Sequence, residues 1–384
     1  MKFKHLSFLI VLECIALCMP INYRSLMAAE RDVWIGAWNR NSAPAGIYHL
    51  TFDDENGKLS SPTLMVERND AGFLAMHPSL DVLYATGATL SAWRIVRDDG
   101  PIRLELINEQ PVGSGNATHL AVDRTGRVLM SAQYGSGTVC SFPLNDDGSI
   151  REIASDIKQE EPSNVVPDRQ DACHPHWIGT SPDNQFVLVP DLGADKIFIY
   201  RLDPTTGVIT RHGAGKTPPG GGARHFKFHP TLPVGYVVNE LVMSVSLMNY
   251  DSSEGQLELA QTVAALSDDQ IAGELFNSGS EIQVHPSGKF AYSGNRGHDS
   301  ISAFSIDQSD GKLSLLEQEP IRGCWPRHFN LDPSGKWLLA AGAYSNTLTV
   351  FKIDQQSGKL QYAMSIKSVP DPICVLVEPK PDEE

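Results

Sequence analysis

One segment plan recurs six times along the chain and constrains the fold more than any single motif does. Each copy carries a turn, an apolar run alternating at period two, a polar break and a second alternating run, as in HPSGKFAYSGNRGHDSISAFSI from His285 and DPSGKWLLAAGAYSNTLTVFKI from Asp332. The turns open at His77, Asp123, Ser181, His229, His285 and Asp332, spaced 46, 58, 48, 56 and 47 residues apart. A period of this length means stacked supersecondary units, each of which buries its apolar faces only against its neighbours. Alternating β-branched and aromatic residues between Pro-Ser-Gly or Pro-Asp-Asn turns read as antiparallel strands.

Each unit therefore reads as an inner strand such as HLAV or HFKF, a tight turn, a second and a third strand, and an outer strand announced by segments like GKLSLLEQ. Such sheets arranged radially form a propeller. A seventh unit opens with VWIGAW at Val33 and lacks its inner strand, which ICVLV at Ile373–Val377 supplies from the other end of the chain. The predicted fold is all-β, a seven-bladed β-propeller of four-stranded antiparallel sheets whose ring closes by pairing the two terminal strands.

The remaining composition bounds partners and location. Forty-six acidic against 31 basic residues give a net charge of -15, a field that repels phosphate backbones and anionic membranes and speaks against nucleic acid as a partner. Lys2 and Lys4 precede an apolar run from Leu6 to Ile21, with small residues at Ala28 and Ala29, which reads as a secretory signal peptide over residues 1–29. Pro20 breaks the run short of the ~20 residues needed to span a bilayer, so no stable membrane insertion is expected after cleavage. The expectation is one domain over residues 30–384, secreted or periplasmic. Cys140, Cys173, Cys324 and Cys374 form no disulfide framework; a Cys324 to Cys374 bridge is conceivable, with buried thiols the expected state.

Inner and second strands meet across a tight turn, so residues opening the first lie beside residues closing the second, near the axis. In the six copies these positions hold His119, His225 and His328 at one recurring place, and Gln133, Asn239 and Asn295 at another. Recurrence fits internal hydrogen bonding of the fold, the amides suiting caps of loop backbone. His176, Glu240 and Arg296 break the repeat, and Arg224 is shared only with Arg327. A carboxylate, an imidazole and several guanidinium groups converging on one mouth fit an anionic, carbonyl-bearing ligand.

At these residues the sequence is recognisable. HPHWIGTSPDNQFVLVPD, PGGGARHFKFHP, YVVNEL, SGNRGHDSI and PRHFNLDPSGKWLL resemble the seven-bladed propeller lactonase family, which includes a 6-phosphogluconolactonase and a fungal muconate lactonizing enzyme. The resemblance runs from about Val33 to Pro379 and implies His176, Arg224, Glu240 and Arg296 as the catalytic group. His225, Glu281, Arg327, Asn239 and Asn295 are the candidate substrate-contacting residues. The sequence departs from the family at AGAYSNT, and Gly87 with Ala88 leave the blade at His77 without polar groups.

The implied activity is hydrolysis of a sugar or anionic lactone, with His176 or Glu240 as general base and arginines stabilising the oxyanion. That reading needs no metal and no cofactor. The alternatives are a muconate-type lactone isomerase, an exported binding protein without turnover, and a calcium site drawing on Glu281, Asn295, Asn239 and Asp191. The sequence leaves the oligomeric state open.

Overall fold

The computed structural model describes residues 30–38, 44–367 and 369–379; the leader read over residues 1–29 lies outside them. Seven antiparallel sheets follow one another in chain order. Blades are numbered here from the one holding the N-terminal strand. The inner strands of blades 2 to 7 are Leu74–Met76, His119–Val122, Gly179–Thr180, Ala223–Phe228, Ser278–Val284 and Pro326–Leu331. In blade 1 the inner strand is Pro372–Val377, paired antiparallel with Arg31–Ala37 through Val33↔Val377 and Ile35↔Val375, as the terminal sequences predict.

Neighbouring blades cover both faces of each sheet. The second strands Val128–Gln133, Phe186–Asp191, Val234–Asn239 and Trp337–Gly342 are buried at every position. Alternation survives in outer strands such as Gln256–Ala264, where one side meets solvent. The buried apolar residues form seven clusters, one at each boundary between adjacent blades. Each blade thus supplies half of two cores.

The His-Pro turns that mark the repeat also latch blade to blade. Nδ1 of His77 and of His229 accepts backbone N–H groups from its own turn at 2.9–3.1 Å. The hydrogen is thereby fixed on Nε2, which donates to the turn carbonyl of the next blade: His77 to Gly126 at 2.9 Å and His229 to Gly288 at 2.9 Å. His285 repeats the contact to Gly335 at 2.7 Å. A second latch lies further out, where Tyr84, Tyr236 and Tyr292 donate to the carbonyls of Gly148, Gly311 and Gly358 at 2.7–2.9 Å. These glycines stand at φ 82, 77 and 72°, in outer turns where a Cβ would strike the neighbouring blade.

Two connections exceed the repeat and account for the 58- and 56-residue spacings. Between blades 3 and 4 the chain runs without strands from Gln159 to Ile178, and between blades 5 and 6 it inserts a short helix, Asp268–Ala272, opened by a Ser267/Gln270 capping box. The four cysteines of the described residues are free thiols, with Cys140, Cys173 and Cys374 buried.

Closure carries a testable consequence. Val375 is fully buried in the closing strand, so Val375→Asp places an unpaired charge between blades 7 and 1 and is expected to cost at least about 3 kcal/mol. Removing residues from Pro372 onward leaves Arg31–Ala37 as an open edge beside uncovered apolar faces, and the cooperative melt in thermal circular dichroism is expected to disappear.

Candidate active site

Strand irregularities aim the polar residues at the axis. In blade 5 the pairing steps from Ala223↔Asn239 to Phe226↔Val237, which leaves one residue extra on the inner strand. Blade 6 does the same between Gly279↔Asn295 and Ile282↔Ser293, and blade 7 between Pro326↔Gly342 and His328↔Ala341. A bulge breaks the alternation that sends successive side chains to opposite faces. Arg224 with His225, Ser280 with Glu281, and Arg327 with His328 stand at these bulges.

Glu240, at the end of the second strand of blade 5, is the hub of the upper layer. Arg224 Nε lies 2.9 Å and Arg296 Nη2 3.0 Å from its Oε2. Both are ion-pair distances, and the Arg224 Nε–H is not aligned for a hydrogen bond. The Arg296 N–H groups go instead to the Gly279 carbonyl at 2.6 Å, to the Ser278 carbonyl at 3.3 Å and to the Ser278 hydroxyl, and Arg224 Nη1 donates to the Ser280 carbonyl. The aligned hydrogen bond to the carboxylate comes from Arg169 Nη2, 2.7 Å from Oε1. Burial would raise the Glu240 carboxyl, but Arg296, Arg224 and Arg169 hold it at about 2.

Beneath lies a second buried carboxylate, Glu281, with His225 Nδ1 at 2.8 Å and His328 Nε2 at 3.0 Å. His328 Nδ1 accepts the backbone N–H of Val375 at 3.1 Å, so its Nε2 carries the hydrogen toward Glu281. Burial opposes ionisation of Glu281, while its two imidazole partners hold it well below the usual carboxylate range. Burial, outweighing Glu281, brings His225 down to about 3 and keeps it a neutral donor. His119 and Phe73 pack into the same layer, their rings 4.2 Å apart, with His176 5.2 Å from His225.

Above these layers opens a cavity of about 840 Å³. His176, Glu240, Arg296 and Arg327 form one wall, and Asn69, Asp70, Asn116, Thr118 and Tyr134 the other. His176 is 6 % exposed, its Nδ1 has no hydrogen-bond partner, and burial foremost, with Arg224 and its neighbours, keeps the imidazole well below its usual pKa. Arg327 lies 4.6 Å over the Trp38 ring at the cavity edge.

The structure therefore brings His176, Arg224, Glu240 and Arg296 together, sets Arg327 at the cavity wall, and places His225 and Glu281 one layer below. Asn239 and Asn295 fall outside. Their amides are buried within their own blades and donate to Ser244 and Ser246, and to Ser300 and Ser302, at 2.8–3.0 Å. Neither contacts the cavity nor caps loop backbone, because the second strand turns its side chains into the sheet there. Of the calcium donor set, Glu281 is held by its imidazoles and one Asp191 oxygen accepts the backbone N–H groups of His174 and Ala194, while Asp191 Oδ2, Asn239 Oδ1 and Asn295 Oδ1 are buried without a hydrogen-bond partner. Among the described residues no group of three or more His, Cys, Asp or Glu could hold a metal ion. The side of blade 2 that Gly87 and Ala88 leave bare receives Asp70 instead, whose carboxylate accepts the Ala88 N–H at 2.7 Å. Arg169, Trp38, Asn69 and Asp70 escape the repeat frame; the 58-residue spacing is the signal that points to Arg169.

Comparison with known proteins agrees in fold and extent. A family model described as Lactonase, 7-bladed beta-propeller matches residues 32–377. The chain is 32% identical over 348 residues to the 6-phosphogluconolactonase of Bacillus subtilis (strain 168), covering 89% of this chain and 97% of that one. It is 32% identical over 312 residues to the 6-phosphogluconolactonase of Formosa agariphila, covering 78% and 86%. The periplasmic gluconolactonase of Pseudomonas aeruginosa superposes with a TM-score of 0.82 at 25% identity, covering 91% of this chain and 99% of that structure.

The buried imidazoles predict acid sensitivity of a definite sign. His119, His176 and His225 have folded pKa values depressed below the ordinary 6.5, so the unfolded chain binds more protons and stability falls as pH drops below about 6.5. Each contributes a slope of up to about 1.4 kcal/mol per pH unit. His119→Phe removes one such group, and the slope of unfolding free energy between pH 4 and 6, measured by urea titration, is expected to be shallower by up to about one proton.

Proposed function

The chain belongs to the seven-bladed β-propeller lactonase family, and from that membership we propose that it hydrolyses a sugar lactone at the cavity between His176 and Arg296. The observation that carries this reading is a neutral imidazole, His176, lining the same cavity as the guanidinium groups of Arg296 and Arg327. A base must be deprotonated and within reach of water, and an oxyanion needs donors already in place. The relatives named as 6-phosphogluconolactonases and as a gluconolactonase support the substrate class.

The charge balance favours His176 over Glu240 as the base. Three guanidinium groups hold the Glu240 carboxyl at about 2, which leaves it little affinity for a proton. Its role in this scheme is to orient the arginines. His176 removes a proton from water as the water oxygen attacks the lactone carbonyl carbon, and Arg296 stabilises the negative charge that develops on the carbonyl oxygen. Collapse of the tetrahedral intermediate breaks the ring C–O bond, and the proton held by His176 passes to the departing ring oxygen to give the open hydroxy acid. An anionic substrate offsets the field of the guanidinium groups and so raises the basicity of His176 when it binds.

The leader read over residues 1–29 supports an extracytoplasmic location, as does the periplasmic location in the name of the Pseudomonas relative.

Acid release from gluconolactone and its 6-phosphate, followed against the spontaneous rate, tests the reading; no acceleration with either would reject hydrolysis. Within it, Arg296→Ala is expected to lower kcat by about 100-fold or more, with the far-ultraviolet circular dichroism unchanged. An unaltered rate in that variant would remove Arg296 from the mechanism.

A further inference from the structure

We infer that Arg169, on the long connection between blades 3 and 4, receives an anionic substituent of the substrate remote from the reacting carbonyl. The inference rests on the proposed lactonase reading for the identity of the ligand, and on the following geometry for the residue.

The arginines around Glu240 differ in what they can still offer. Arg224 is 2 % exposed and Arg296 5 %. The first is tied to the Ser280 carbonyl, and the second to Ser278 and Gly279. Both therefore serve as fixed charges, Arg296 in the cavity wall and Arg224 buried behind it. Arg169 keeps 32 % of its side chain exposed, and of its five N–H donors one goes to Glu240 Oε1 and another faces Tyr134, which leaves further donors for a ligand. Its other polar neighbour is the hydroxyl of Tyr134, which like Glu240 lines the cavity. An anion reaching Arg169 meets a planar fork with donors to spare, suited to bidentate recognition of carboxylate or phosphate. Three guanidinium groups against the single carboxylate of Glu240 leave this corner net positive.

The segment that carries Arg169 is built to hold it. Gln170, fully buried, donates to the Leu192 carbonyl at 2.8 Å and to Asp195 Oδ1 at 2.6 Å, and its own amide oxygen accepts the Val166 N–H at 3.1 Å. Asp195 also accepts the N–H groups of Gly220 at 2.7 Å and Gly222 at 2.8 Å, in the loop that leads directly into Arg224. One buried carboxylate therefore fixes the approach of both arginines. A preorganised donor of this kind gives up little conformational entropy when an anion binds.

Binding is measured by titration calorimetry with three open-chain products on the wild-type protein and on Arg169→Met, Arg169→Lys and Arg327→Met: gluconate, its 6-phosphate, and the dicarboxylate glucarate. The wild type is expected to bind at least one of the two extra-charged acids about tenfold or more tightly than gluconate, and which one identifies the anion as phosphate or carboxylate. Arg169→Met is expected to abolish that preference, and Arg169→Lys to keep part of it. The inference is overturned if the wild type shows no preference, if Arg169→Met retains it, or if Arg327→Met alone removes it. Acid-release assays on the same samples report hydrolysis separately, so a protein that discriminates by charge without turnover would refute the lactonase reading and leave Arg169 in its role.

Discussion

Every blade of this protein is incomplete alone, because its two faces contribute to two different cores. The seven apolar clusters lie between blades rather than within them. A linear array would leave its first and last blades with one face uncovered, so the arrangement is stable only when the ring shuts. The antiparallel pairing of Pro372–Val377 with Arg31–Ala37 is that seam. It also reaches the axis directly, since the backbone N–H of Val375 fixes the His328 tautomer that faces Glu281. Closure and the electrostatics of the channel floor are thus joined at one strand.

A ring of seven inner strands leaves a narrow axis lined by strand ends, and buried polar groups there persist only if they are paired. The solution is two stacked layers. The lower one stabilises a carboxylate with imidazole N–H donors, and the upper one surrounds a carboxylate with guanidinium groups. The upper layer carries excess positive charge in a chain whose net charge is -15, and only the upper layer meets the cavity. The lower layer keeps its carboxylate away from the cavity, while Glu240, Arg296 and Arg327 line it.

Much of this was legible in the sequence because it depends on periodicity. The blade count, the order of strands and the terminal seam follow from the repeat, and the residues that break it, His176, Glu240 and Arg296, are brought together with Arg224, which only Arg327 shares. What the repeat concealed has identifiable causes. The inner-strand bulges are single-residue departures from alternation and leave no compositional mark, so the separation of His225 and Glu281 into a lower layer was not visible. Asn239 and Asn295 were misplaced because an amide near the end of a strand looks the same whether it turns toward a cavity or toward serines of the next strand. Asp70 and Trp38 stand just outside the windows that the anchors define. Arg169 belongs to a connection with no counterpart in the other blades.

That last case states a general feature of the architecture. Bulges and strand ends recur from blade to blade, so they build a floor and wall of buried charges, with Arg224 tied to the Ser280 carbonyl and Arg296 to Ser278 and Gly279. The connections between blades can lengthen while still supplying a few residues to the cores, as Cys173 and Ile178 of the long connection do at the boundary of blades 3 and 4 and Trp177 at that of blades 4 and 5. The 58-residue spacing uses that freedom to bring a guanidinium with uncommitted donors to the Glu240 carboxylate, anchored through Gln170 to Asp195. In this protein the symmetric parts hold charge in place, and the asymmetric connection, anchored in the cores by Cys173, Trp177 and Ile178, is where recognition can vary.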